Sequence, residues 1–193
     1  IRTQKIFISE QVAKWKSQGV PDAEIRARVN TIEDLFRKKV AFESRANREA
    51  DWLIKEDLKL GDQKKVFVEQ LQRQWHSQGI PDQEIDRRIA KIDEIFNKKE
   101  AVIDKYGSRV IDSSKRLKQL YYLIDQGRFK DCAEEIQIAE AQLSDDISSA
   151  RNAIGSLAQY LDSLRRNPDQ YMVEGSLDSD PRFRPVGYEP VQD

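Results

Sequence analysis

The sequence predicts an all-α fold: an elongated, coiled-coil-like bundle of about five helices with an extended C-terminal tail. Three observations predict it. A short-helix/long-helix hairpin is written twice, at an offset of 60 residues. Apolar residues recur at alternating three- and four-residue steps along the second half of the chain. Helix breakers are scarce, with 8 glycines and 6 prolines among 193 residues, and four of those prolines fall at or beyond Pro168.

The duplication aligns Lys5–Lys39 with Lys65–Lys99 without a gap, and 15 of the 35 positions are identical. The shared residues describe a corner. Trp15, Gly19, Val20 and Pro21 recur as Trp75, Gly79, Ile80 and Pro81. A helix that ends in a Schellman motif wants a left-handed residue just past its cap. It also wants apolar side chains three residues before and two after that cap. Gly19 and Gly79 supply the first, and the Trp and aliphatic residues supply the second. Pro21 and Pro81 suit the first turn of the following helix, and Asp22, Glu24, Asp82 and Glu84 place negative charge near its positive end. A Trp could equally touch a ligand, but the corner accounts for all four residue types together.

After the second corner a seam runs through Ile85, Ile89, Ile92, Phe96, Lys99, Ile103, Tyr106, Val110, Ser113, Leu117, Leu120 and Ile124. Lys99 and Ser113 interrupt it, Gly107 weakens it, and Gly127 closes the helix. A last helix carries Phe129, Cys132, Ile136, Ala139, Leu143, Ile147, Ala150, Ile154, Leu157, Leu161 and Leu164 on one stripe. Its short link at Gly127 makes it an antiparallel neighbour of the helix before it. The first copy's long helix starts with Ile25, Val29, Ile32 and Phe36 and continues through Val40, Phe42, Ala46, Ala50, Leu53, Ile54 and Leu58. Gly61 is expected to end it, with Asp62 capping the next. Helices starting at Pro21 and Pro81 would then span roughly 55–70 Å each. These readings divide the chain into a first hairpin (1–60), a second hairpin (61–127), a long C-terminal helix packing on the second repeat (128–167) and an extended acidic, proline-rich tail (168–193).

The net charge of −1 gives no field for nucleic acid or anionic lipid. The tail carries six acids against Arg182 and Arg184, which leaves the helical body at +3. That modest excess reads as a solvated surface, so nucleic acid is not an expected partner. No run of about 18 apolar residues occurs, so no membrane span is expected in this stretch. The chain starts at Ile1, which leaves room for an upstream signal or anchor. Composition fixes no compartment, and a cytoplasmic, periplasmic or membrane-attached protein would all fit.

Catalytic signatures are missing. His76 is the only histidine, which excludes zinc clusters of the usual His-Cys kind and di-iron Glu-x-x-His bundles. No phosphate-binding glycine loop, nucleophile elbow or zincin motif is present. Glu134/Glu135 and Asp145/Asp146 read as a solvated helix face, since adjacent helical residues diverge by about 100°. Lys38/Lys39 and Lys98/Lys99 follow a Phe in both copies and read as helix surface. Cys132 lies on an apolar stripe and reads as a small buried hydrophobe. No cofactor, metal or catalytic residue is therefore expected.

What remains is a non-enzymatic scaffold or adaptor. It would act through protein contacts, self-association included, on its helix faces and its tail. Phe7, Ile8, Phe42, Phe67, Val68, Ile95 and Val102 stand outside the seams and are expected to supply adhesive surface. Tyr171, Phe183 and Tyr188 are the tail's candidate contact residues. Two rival expectations are the extramembrane part of a membrane-attached sensor or secretion component, and a ligand-binding or enzymatic bundle.

Overall fold

The structure is a computed structural model that describes residues 3–168. Tyr171, Phe183 and Tyr188, with the rest of the expected tail beyond Pro168, lie outside the described residues. Every element among the described residues is helical: α1 (Gln4–Ser17), α2 (Asp22–Ser77), α3 (Asp82–Arg116), a 3₁₀ turn (Leu117–Gln119), α4 (Leu120–Asp125) and α5 (Phe129–Arg166). The fold is all-α, and the packed faces are the stripes written in the sequence.

Three helices end in the same way. Gly19, Gly79 and Gly127 have φ of 74°, 74° and 72°. At the first corner Val20 N–H donates to Trp15 O at 3.0 Å and Gly19 N–H to Lys16 O at 3.1 Å. At the second, Ile80 N–H donates to Trp75 O and Gly79 N–H to His76 O, both at 3.1 Å. At the third, Arg128 N–H donates to Leu123 O and Gly127 N–H to Ile124 O, both at 2.9 Å. These are the paired bonds of the Schellman motif, and they occupy carbonyls that a helix end leaves open. Pro21 and Pro81 stand one place earlier than the first helical turn. Each offers its carbonyl to the N–H of Ile25 or Ile85 at 3.0 Å, as an N-cap residue does. Thr3 caps α1, its hydroxyl accepting from Ile6 N–H at 3.3 Å.

Gly61 does not end a helix. It lies inside α2, which runs unbroken for 56 residues, so Asp62 is an interior residue and not a cap. A glycine weakens a helix by about 1 kcal/mol relative to alanine. That cost is too small to break a run flanked by Leu58, Lys59 and Leu60 on one side and Gln63, Lys64 and Lys65 on the other. Gly107 is likewise helical within α3. The seam helix instead tightens into 3₁₀ geometry at Leu117–Gln119 before α4.

The chain forms two compact units. One comprises the chain up to Arg48 together with Val110–Ser144; the other comprises Glu49–Arg109 and the chain from Asp145 on. Each copy of the duplication lies whole within one unit, although the boundary falls inside α2 and not at Gly61. The cores follow the stripes. Of the twelve α3–α4 seam residues only Ile89 is not buried, and of the eleven on α5 only Phe129 is not.

Two groups of residues sit differently from expectation. Phe7, Phe42, Ile95 and Val102 are 1%, 2%, 0% and 1% exposed, so they are core and not adhesive surface. A helix buried between several neighbours needs an apolar arc wider than a two-position heptad seam, and these residues fill it. Asp146 is buried too, against the expected solvated face, where it accepts a hydrogen bond from Arg109 at 3.1 Å.

Candidate contact surfaces on the two copies

The two copies repeat their geometry as closely as their sequence. Phe7 and Phe36 meet edge to face with ring centres 6.0 Å apart and an interplanar angle of 71°. Phe67 and Phe96 do so at 6.1 Å and 67°. Such pairs contribute about 0.5–1.5 kcal/mol beyond the area they bury. The Arg28 guanidinium lies 5.2 Å from the centre of the Trp15 ring, and Arg88 lies 5.2 Å from that of Trp75. Each arginine is tied back to the first turn of its own helix, Arg28 to Glu24 at 2.7 Å and Arg88 to Glu84 at 3.2 Å. Hydrogen bonds from Arg87 and Arg88 hold the Glu84 carboxyl down at about 2. The corner is thus a packed tryptophan, covered by an arginine, over a glycine turn.

Differences begin beside the corner. Gln11 is buried and donates to Asp125 at 2.7 Å, while its counterpart Leu71 is fully buried with apolar atoms alone. In the first unit Tyr121 joins the phenylalanine pair. Its ring centre is 4.9 Å from Phe7 and 5.4 Å from Phe36, and the Lys39 ammonium stands 5.9 Å from it. Lys39 also pairs with Glu43 at 2.5 Å. In the second unit the counterpart Lys99 is buried, with Gln63 at 3.4 Å and Glu56 at 3.9 Å. Burial pushes its pKa down, partly opposed by Glu56 and reinforced by Lys59. Lys39 and Lys99 are therefore drawn inward rather than spread on a helix surface, whereas Lys38 is exposed. Their hydrocarbon stems fill seam positions while the ammonium reaches polar neighbours at the edge.

Each unit also bears a groove against the inner ring of its phenylalanine pair. In the first unit Ile8, Phe36, Val40 and Ala41 line it, with Lys5, Glu33 and Arg37 at the rim, and its volume is about 780 Å³. In the second, Val66, Phe67, Phe96, Lys99, Ala158 and Leu161 line a groove of about 580 Å³, edged by Asp162 and Arg165. Val40 is 47% and Val66 63% exposed. The grooves lie on different sides of the repeated hairpin. The second unit bridges Lys64 to Asp93 at 2.9 Å, at the positions matching Gln4 and Glu33 of the first groove.

The other singled-out residues carry no visible chemistry. Cys132 is fully buried, its thiol donates to Leu120 O at 3.7 Å, and burial pushes its pKa up to about 11. His76 is exposed, 3.5 Å from Asp82. Among the described residues no group of three His, Cys, Asp or Glu side chains could hold a metal ion, and no helix is long and apolar enough to cross a membrane. Sequence reasoning missed Val40 and Val66 as groove residues. Val66 matches Ile6, also exposed at 51%, so apolar identity kept at an outward position in both copies was the signal available. No protein-family model matches this chain, and no curated protein and no solved structure shows significant similarity to it.

Proposed function

We propose that the protein is a non-enzymatic helical adaptor that binds protein partners through the grooves beside its two phenylalanine pairs. One observation carries the reading: in each unit an exposed valine, Val40 or Val66, stands at the lip of an apolar groove floored by Phe36 or Phe96. Apolar side chains around such a groove gain little from water and much from an inserted hydrophobic residue. The rims carry both signs of charge, which suits a protein segment better than a polyanion.

Placing a charge at the two lips tests this. Val40→Glu and Val66→Glu change exposed positions, where substitutions alter stability by only about 0.5 kcal/mol. The double variant is expected to unfold at the wild-type midpoint yet lose the partners that wild-type protein retains after chemical crosslinking in cells. Recovery of the same partners in the same amount would overturn the proposal.

A further inference from the structure

The two copies differ in how they satisfy the same lysine. In the first unit Lys39 meets the carboxylate of Glu43 one turn on, and the Tyr121 ring stands beside its ammonium. Lys99 is its counterpart, and the residue one turn on from Lys99 is Ile103, which is buried. The second copy thus keeps the cation and puts a hydrocarbon where its carboxylate stood. The Lys99 side chain is only 7% exposed, yet its polar contacts are Gln63 at 3.4 Å and Glu56 at 3.9 Å. A hydrogen bond from an ammonium to a carboxylate spans about 2.7–2.9 Å, so neither contact is a close one. Glu56 also stands 4.0 Å from Lys59, which divides its charge between two cations. Burial pushes the Lys99 pKa down, as expected of a cation taken out of water without a close counter-charge.

Lys99 lines the second groove together with Phe67, Phe96 and Leu161. Two acids line it as well, and neither serves the lysine. Asp162 is engaged through both oxygens, by Arg165 at 2.7 Å and Arg166 at 3.0 Å. Asp62 is exposed, where water weakens its field. The groove therefore offers about 580 Å³ beside apolar side chains and, among them, a buried cation short of a counter-charge. We infer that the protein segment bound in the second groove carries one carboxylate, from Asp or Glu, next to a bulky apolar residue, and that this carboxylate pairs with Lys99 while the apolar side chain rests on Phe67 and Phe96. Away from water such a pair is stronger than the same pair on an open surface. Asp62 and Asp162 would repel a run of acids, so the segment is singly acidic and not a polyanion. Lys39 does not line the first groove, so a segment bound there is under no such demand, and the two grooves select different segments. This inference rests on the reading of the grooves as docking surfaces and specifies the chemistry that the second one recognises.

Selection from a random peptide library on the whole chain tests it. Peptides that bind wild-type protein but not Val66→Gln, a neutral change that does not itself repel acids, are ligands of the second groove. They are expected to share an Asp or Glu beside an aromatic or large aliphatic residue. Lys99→Met then removes the charge at similar side-chain length, a change that folds commonly tolerate, and the denaturant midpoint checks it. Lys99→Gln serves as the second variant should the first fail to fold. On either variant a selected peptide should bind about ten- to a hundredfold more weakly, the factor one charge-assisted hydrogen bond is worth. Changing the peptide's Glu to Gln, or its Asp to Asn, should cost a similar factor on wild-type protein and almost nothing on the Lys99 variant, because both changes remove the same pair. Losses that simply add overturn the proposal, and so do Val66-dependent peptides with no acidic preference. In both cases the docking reading survives without its carboxylate. If no peptide depends on Val66, both fail. Decanoate, a carboxylate on an alkyl chain, is the last arm: Lys99-dependent binding of decanoate with no peptide bound would assign the groove to a lipid carboxylate and overturn both.

Discussion

At the residue scale, the glycines show how one residue type serves opposite needs. Gly19 and Gly79 sit at φ of 74°, and a β-carbon at either would meet no atom within 4 Å, so the backbone alone demands glycine there. Gly19→Ala and Gly79→Ala should each cost about 1 kcal/mol, the strain of placing a β-carbon in the left-handed region. Denaturant midpoints at unchanged slope would show it, and unchanged midpoints would contradict the corner geometry. Both positions were legible in the sequence, because Trp, Gly, aliphatic and Pro at fixed spacing together meet every requirement of a capped helix end. The inward lysines were not. Lys39 and Lys99 share the spacing of seam residues, but charge argues for the surface. Only packing shows that their stems fill the seam while Glu43, and Gln63 with Glu56, meet the ammonium groups.

At the scale of elements, the stripes in α3 and α5 were readable nearly residue by residue, since periodicity reports directly which face is buried. Where α2 ends was not. Gly61 followed by Asp62 resembles a stop and a cap, yet a glycine without a neighbouring proline is only a weak breaker. The consequence is measurable. Gly61 is helical and a β-carbon there meets nothing within 4 Å, so Gly61→Ala should stabilise the protein by about 0.5–1 kcal/mol. The sign is opposite to that at Gly19 and Gly79. A loss of stability at Gly61→Ala would mean that the chain turns at that point. The burial of Phe7, Phe42, Ile95 and Val102 belongs to the same scale: strict heptad counting reads one interface per helix, and these helices bury more than one side.

At the scale of the whole molecule, the duplication yields two units that share a corner and differ in what they leave open. Fifteen identical residues preserve the tryptophan turn, the phenylalanine pair and the arginine cover, which are demands of folding. Divergent residues distinguish the grooves: Val40 lines the first where the second copy has Glu100, and the α5 residues around Leu161 line the second. Neither groove could be read from the sequence, because each is assembled from helices far apart in the chain or from residues at the edges of two stripes. The most direct measurement places a photo-crosslinking amino acid at Val40, at Val66 and, as controls, at the exposed Lys55 and Lys118 of the same protein in its native cells. Discrete adducts with another protein at one or both valines, and none at the lysines, are the predicted result. Equal labelling at all four positions, or no adduct at either valine, would contradict the assignment of the grooves as docking surfaces.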